Sequence, residues 1–298
     1  MNVEEIAPGI TRIESDLGSR FMAQYLLAGT DRTLLVDTGL AHTPDEALRP
    51  ALEHLGATPD LILITHADLD HCGGNRRMRE LYPGALFACH ERDRHWIESN
   101  AAMLAENYLW HEPYGLDAPD EDGRRDMLAQ LGGDAPIDLG LIGGETLGLG
   151  ADRRLEVLHL PGHTLGHVGL WDPEARIAIV IDAVLLDGIY DRGGTKLIPP
   201  RYYDAHAYRE TIRRIRALEP ELLLTAHYAP MDGQAAREFC DRSLTYVDEV
   251  EAVVRQGRDE GEVGLRELTE RVDEQLGPFP EFTTEIAAGV RSHLAQLM

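Results

Sequence analysis

Four side chains able to ligate a metal fall within six residues of the stretch Thr65-His66-Ala67-Asp68-Leu69-Asp70-His71-Cys72-Gly73-Gly74. Imidazole and carboxylate together suit zinc, iron and manganese. The stretch comes directly after a short apolar run, Leu61–Thr65. In a loop, spacings of one and two residues can turn successive side chains toward a common point, and Gly73 and Gly74 let the backbone turn tightly into the next helix. A lone histidine at such a place more often caps or packs, whereas four potential ligands at a strand exit point to a metal. Three further apolar runs end in the same way. Leu155–Leu160 leads into Pro161-Gly162-His163-Thr164-Leu165-Gly166-His167, Ile177–Ile181 is closed by Asp182, and Leu222-Leu223-Leu224-Thr225-Ala226 by His227. An acid closing an apolar strand is costly unless it has a partner. Strand ends on one sheet edge converge, and functional loops sit there, so one shared site is expected.

The elements that must position these residues alternate along the chain. Ile10–Glu14, Ala23–Ala28 and Thr33–Asp37 read as strands broken by Gly or Asp. Pro44–Leu55 reads as a helix, with Ala47, Leu48, Ala51, Leu52 and Leu55 in one stripe and Gly56 as its stop. Asn75–Tyr82 is expected to be helical and Ala85–Cys89 a strand. Residues 91–132 are rich in charge and helix formers, with a break at His111-Glu112-Pro113-Tyr114-Gly115, and predict a helical insertion that caps the metal site. Beyond it lie strands at His167–Trp171 and Leu222–Thr225 and a helix over 204–218. From Gln234 on the pattern is helical, with Phe239, Leu244, Val247, Val250 and Val254 on one face, then Leu265, Leu268 and Val272, then Ile286, Val290, Leu294 and Leu297. The alternation implies a mixed sheet core with helices outside, and a division into a domain over 1–235 and a helical extension over 236–298.

The chain has 298 residues and a net charge of −24, from 28 basic and 52 acidic side chains. Lys196 is its single lysine. A field of this sign repels phosphate backbones, so nucleic acid is excluded as an expected partner; high solubility or a salty habitat accounts for the charge. No apolar run approaches the roughly 18 residues that a membrane helix needs. The acidic start MNVEEIAPGI does not look like a secretory leader, and the cysteines Cys72, Cys89 and Cys240 are few and odd in number. A cytoplasmic setting with free thiols is the expectation.

The order Asp37-Thr38-Gly39, His66–His71, Gly162-His163-Thr164, Asp182 and Ala226-His227 resembles that of the metallo-β-lactamase-like hydrolases, over roughly residues 5–235. The resemblance implies an α/β fold, an αββα four-layer sandwich of two mixed β-sheets flanked by helices, with two divalent metal ions at one edge. It places His66 and His163 on one metal and Asp70, His71 and His227 on the other, with Asp182 bridging. A water shared by the two metals would lose its proton near neutral pH and attack the substrate, with Asp70 orienting it as the candidate catalytic residue.

One position departs from that pattern, since the family usually has histidine where this chain has Asp68. Asp68 is then a carboxylate ligand, a lost ligand, or the mark of a branch similar to flavodiiron reductases, where an acid stands at this place. Charge counting favours ligation: Asp68, Asp70 and Asp182 carry three negative charges against three positive on two divalent ions and one hydroxide. The extra carboxylate makes iron or manganese plausible beside zinc.

Around these ligands, Asp37 is expected to buttress the metal loop, and His167 to hydrogen-bond inside the site or to pack. His90 and His95 read as structural or exposed, and Cys72 as a buried inert thiol. Tyr190, Tyr202, Tyr203 and Tyr228 flank the metal-bearing loops, and Tyr190 and Tyr228 are the substrate-binding candidates. Specificity is expected from 91–132 and from the loop 185–203. The tail from Val263 to Met298 is similar to a shortened winged-helix tail of some hydroxyacylglutathione-hydrolase-like proteins, through Leu265-Arg266-Glu267-Leu268 and Val290-Arg291-Ser292-His293-Leu294. It is expected to pack on the core or in a homodimer rather than to read DNA. The activity expected is hydrolysis of an ester, thioester, lactone or amide of a small molecule. The rival readings are a di-iron redox protein, weakened by the lack of a flavin domain after the core, and a metal-bearing binding protein without turnover.

Overall fold

The computed structural model describes residues 2–151, 153–261 and 264–297. A seven-stranded sheet runs in chain order: β1 (Asn2–Ala7), β2 (Ile10–Leu17), β3 (Arg20–Ala28), β4 (Thr33–Val36), β5 (Leu61–Leu63), β6 (Leu86–His90) and β7 (Leu139–Leu141). The first four strands pair antiparallel and β4 to β7 pair parallel. Hairpin β2–β3 is in register from Ile10↔Leu27 to Leu17↔Arg20, closed by a two-residue turn that needs the positive φ of Gly18. Parallel strands are buried on both faces and read as unbroken apolar runs, which is why β4 and β5 were legible. β1 and β7 were not anticipated. They lie at the two sheet edges, where exposed residues dilute the apolar pattern.

Helix Pro44–Leu55 is present but in two pieces, a π-helical turn at Pro44–Leu48 and α1 (Arg49–Leu55). Pro50 has no N–H and its ring crowds the carbonyl four residues back. The ladder widens there, with the Arg49 N–H bonding to the Pro44 carbonyl. Gly56 ends α1 in the left-handed conformation, as its position predicts. Next come α2 (Leu69–Cys72) and α3 (Asn75–Leu81). Leu48, Leu52 and Met78 pack with Leu35, Ile62 and Phe87 in one buried cluster against the sheet.

Residues 91–132 form short helical pieces: α4 (Arg94–Glu98), α5 (Asn100–Ala102), a π-helical turn Met103–Tyr108, a 3-10 turn Glu112–Tyr114 and α6 (Glu121–Gln130). The second large sheet has β8 (Thr146–Gly148), β9 (Arg154–His159) and β10 (Val168–Asp172), which pair antiparallel. It also has β11 (Ile177–Ile179), parallel to β14 (Leu222–Leu224), which pairs antiparallel with β15 (Met231–Asp232). A small hairpin joins β12 (Ile189–Tyr190) to β13 (Lys196–Ile198). The remaining helices are α7 (Ala205–Ala217), α8 (Gly233–Asp259), α9 (Leu265–Leu276) and α10 (Ile286–Gln296). Two large mixed sheets flanked by helices make this the expected α/β class.

By contacts the chain divides into two units, the first comprising 1–108, 119–159 and 166–175, the second 109–118, 160–165 and 176–298. The segment 91–132 is therefore split, and its middle belongs with the C-terminal helices. There Arg291 lies over Trp110 and Tyr114, 4.9 and 5.7 Å from the ring centroids, and Arg266 bonds the Gly115 carbonyl and the Asp117 carboxylate. In α8 the Asp232 carboxylate caps the N–H groups of Gln234 and Ala235. Its buried face is Phe239, Ser243, Tyr246, Val247, Val250 and Val254, with Leu244 at the margin rather than on the stripe. In α10 the buried face is Ile286, Val290 and His293, with Leu294 and Leu297 only half-buried. Val263 and Met298, the bounds of the tail resemblance, lie outside the described residues. Among the described residues no helix is long and apolar enough to cross a membrane.

Candidate metal centre

In the first unit, β5 stops at Leu63, and His66, Asp68, Asp70 and His71 come next on the loop and on α2. Behind them stands Asp37, fully buried and in the left-handed region at φ 63°. Its carboxylate accepts the Thr65 N–H at 2.8 Å, the Thr65 hydroxyl at 2.9 Å and His71 Nδ1 at 2.8 Å. Burial pushes the Asp37 carboxyl above its usual range, and His71 pulls the other way. The Thr65 oxygen also lies 3.0 Å from His66 Nδ1. A hydroxyl has one proton. If Thr65 gives it to Asp37, it accepts from His66, so both imidazoles carry their proton on Nδ1 and turn Nε2 toward a metal. This is the backing that metal-ligating histidines have.

The rings of His66 and His71 are 4.1 Å apart, and His66 stacks on His167 at 4.6 Å. Asp68 Oδ2 is 3.2 Å from His66 Nε2, and Asp70 Oδ1 is 3.9 Å from His71 Nε2. All four candidate ligands of the motif are thus brought together. Cys72 is buried, with its thiol bonded to the Asp68 carbonyl and pushed well up by burial and by the nearby carboxylates. It is an inert thiol.

Three bracing residues escaped the sequence reading. Asp93, fully buried, accepts the Ala67 N–H at 3.1 Å and the Gly166 N–H at 2.7 Å. Asn107 donates to the Ala67 carbonyl at 2.7 Å, and Tyr108 donates to Asp68 Oδ1 at 2.8 Å. Of the other histidines, His90 stacks on His159 at 4.2 Å, and His95 is exposed beside Glu106.

In the second unit His163 comes after Gly162, whose φ is +138° and whose added Cβ would lie 2.4 Å from Tyr208 Cα. Only glycine fits that approach. His163 Nδ1 is 2.8 Å from the Arg201 carbonyl, which again fixes the proton on Nδ1 and leaves Nε2 for a metal. Asp182 Oδ2 is 3.2 Å from His227 Nε2. Both substrate candidates have committed hydroxyls. Tyr228 lies 2.8 and 2.7 Å from the Leu185 and Gly188 carbonyls, and Tyr190 donates to Asp187 at 2.8 Å. Burial and Asp187 push the Tyr190 hydroxyl up to about 12. Tyr202 is buried against His293 at 3.0 Å, and Tyr203 holds the Gly162 carbonyl through its N–H.

Histidines and carboxylates after strand ends, with Nδ1 of His66, His71 and His163 each backed by an oxygen so that Nε2 is the donor left for a metal, make up a candidate metal centre of the kind a metal-dependent hydrolase uses. The profile of the metallo-beta-lactamase superfamily matches residues 21–227, and the chain belongs to that superfamily as one of its enzymes. It is 25% identical over 250 residues to a probable metallo-hydrolase of Bacillus subtilis, covering 78% of this chain and 89% of that one. It is 29% identical over 176 residues to an acyl-coenzyme A thioesterase of Gallus gallus, covering 55% of this chain but only 59% of that protein. A beta-lactamase domain protein from Burkholderia ambifaria matches 99% of this chain and 88% of its own at a TM-score of 0.77 and 20% identity, a likeness of fold.

Proposed function

We propose that the chain hydrolyses an acyl bond of a small molecule, an ester, thioester, lactone or amide, at two divalent metal ions. His66, Asp68 and His163 would hold one ion, and Asp70, His71 and His227 the other, with Asp182 shared. The observation that carries this reading is the backing of His66, His71 and His163, each of which has an oxygen 2.8–3.0 Å from Nδ1. Packing histidines have no need of a common orientation, and metal-ligating ones do. Two divalent ions would supply acidification of water and polarisation of the scissile carbonyl. Asp70 would orient the attacking water. Zinc, iron and manganese all suit the donors, and Asp68 tilts the set toward the harder ions.

With their hydroxyls spent on the segment 185–190, Tyr190 and Tyr228 would reach a substrate only through their rings and the loop they hold. Specificity is assigned to 91–132 and 185–203. The thioesterase relative makes acyl thioesters the first substrates to try. The test is metal analysis of protein purified without added metal, paired with hydrolysis of an acyl-coenzyme A and S-acylglutathione panel. About two ions per chain, and turnover that a chelator abolishes and metal restores, are expected. Failure to take up metal, or chelator-insensitive turnover, overturns the reading.

A further inference from the structure

The π-helical turn Met103–Tyr108 lies 35 to 40 residues beyond the metal loop, yet its last two side chains hold three consecutive residues of that loop. Asn107 Nδ2 donates to the Ala67 carbonyl at 2.7 Å, the Leu69 N–H donates to the Tyr108 oxygen at 2.9 Å, and Tyr108 lies 2.8 Å from Asp68 Oδ1. A backbone N–H only donates, so the phenol oxygen is the acceptor from Leu69 and its single proton goes to Asp68. Oδ1 of Asp68 is thereby engaged, while Oδ2 is the oxygen 3.2 Å from His66 Nε2. The loop is held on both sides of Asp68, at Ala67 and at Leu69. The bond to Oδ1 opposes rotation of the carboxylate about χ2, and the two flanking bonds oppose a shift of Asp68 along the chain.

We propose that Tyr108 is the positioning residue that makes Asp68 a single-oxygen metal ligand through Oδ2. This rests on the reading of Asp68 as a ligand. A carboxylate is shorter than an imidazole and can present two oxygens. To take a histidine's place it must be brought closer and limited to one donor atom, and the hydrogen bonds from 107–108 do both. Withdrawal of density by the phenol proton also fixes which oxygen keeps the greater charge.

The test is Tyr108→Phe, which keeps the ring and removes only the hydroxyl. Competition with a chromophoric chelator should show one of the two ions bound 10- to 100-fold more weakly, the usual range for groups behind a metal ligand. The d–d spectrum of the cobalt-loaded protein should change as well. In the double variant Tyr108→Phe/Asp68→Ala, metal binding should be no weaker than in Asp68→Ala. Asn107→Ala loosens Ala67 but keeps the Tyr108 bond to Asp68, and should change affinity and the cobalt spectrum clearly less than Tyr108→Phe does. Unchanged affinity and spectrum in Tyr108→Phe would overturn the proposal. So would an equal effect of Asn107→Ala, which would make Tyr108 a general brace. If Asp68→Ala itself binds both ions as the parent does, the ligand reading of Asp68 falls first. If Asp68→Ala loses an ion and Tyr108→Phe does not, only the role of Tyr108 falls.

Discussion

The two units carry the proposed ligands in opposite ways. The first places four on one loop and braces them with side chains, Asp37, Thr65, Asp93, Asn107 and Tyr108. The second takes three from three separate loops, and there it is a backbone group, the Arg201 carbonyl, that orients His163. A single loop with a dense hydrogen-bonded shell is set by the folding of the first unit, which supplies every brace. Ligands on separate loops depend on the second sheet being in place. The first arrangement concentrates orientation in a few replaceable side chains, whereas at His163 it rests on a backbone carbonyl that substitution cannot remove.

The largest effect that would test this contrast is expected in the second unit. Asp182→Ala removes the one group proposed to serve both ions. Metal content should fall toward zero, and activity by more than about 100-fold, beyond the range seen for outer groups. Retention of one full ion would show that Asp182 does not bridge. Next comes Asp37→Asn in the first unit. Both Asp37 oxygens face N–H or O–H donors, so an amide nitrogen meets a donor whichever way it turns. The escape is for His71 to move its proton to Nε2, where it blocks the metal. Affinity for the ion on His71 should drop roughly 10- to 100-fold, seen by chelator competition, with the other ion less affected.

The smallest effect on the site, though not on the fold, belongs to His293. Burial pushes its pKa down to about 4 from an ordinary 6.5. Above pH 6.5 the ring is neutral in both folded and unfolded chains. As pH falls from 6.5 toward 4 the unfolded chain takes up a proton that the folded one refuses, and stability is lost, by about 3 kcal/mol in all. Denaturant titrations of His293→Gln should show a flatter acid limb over that window, with metal affinity unchanged. An identical pH slope would show that His293 titrates normally.

What could be read from the sequence divides along the same contrast. The candidate ligands of the first unit stand out in the sequence because they are adjacent, and those of the second because each follows an apolar run. Of the bracing residues Asp37 could be read from the sequence, and Asp93, Asn107 and Tyr108 were hidden. Asp93 lies in Glu91-Arg92-Asp93-Arg94-His95, which looks like a solvated face, and nothing local says that this one acid is buried. Tyr108 and Asn107 sit in weak periodicity because a π-turn shifts the spacing of a buried face away from 3.6 residues. The π-turn before α1 was hidden in another way, since Pro50 lies inside an otherwise continuous apolar stripe. In α10 the stripe drawn through Leu294 misses because His293 is buried in its place, bonded to Tyr202. Such a polar core position cannot be told from a surface histidine without its partner.

The split of the 91–132 insertion bears on how such a protein can be recombined. Residues 109–118 are fastened to α9 and α10 through Arg266 and through Arg291 stacked on Trp110 and Tyr114. Swapping 91–132 alone between relatives would bring in a loop whose fasteners were left in the recipient's tail. A graft that keeps order must carry the insertion and α9–α10 as one inheritance unit, although more than 130 residues of chain separate them. Laboratory shuffling at a crossover near residue 235 should therefore yield chimeras with a loosened 109–118, and crossovers that move both pieces together should not.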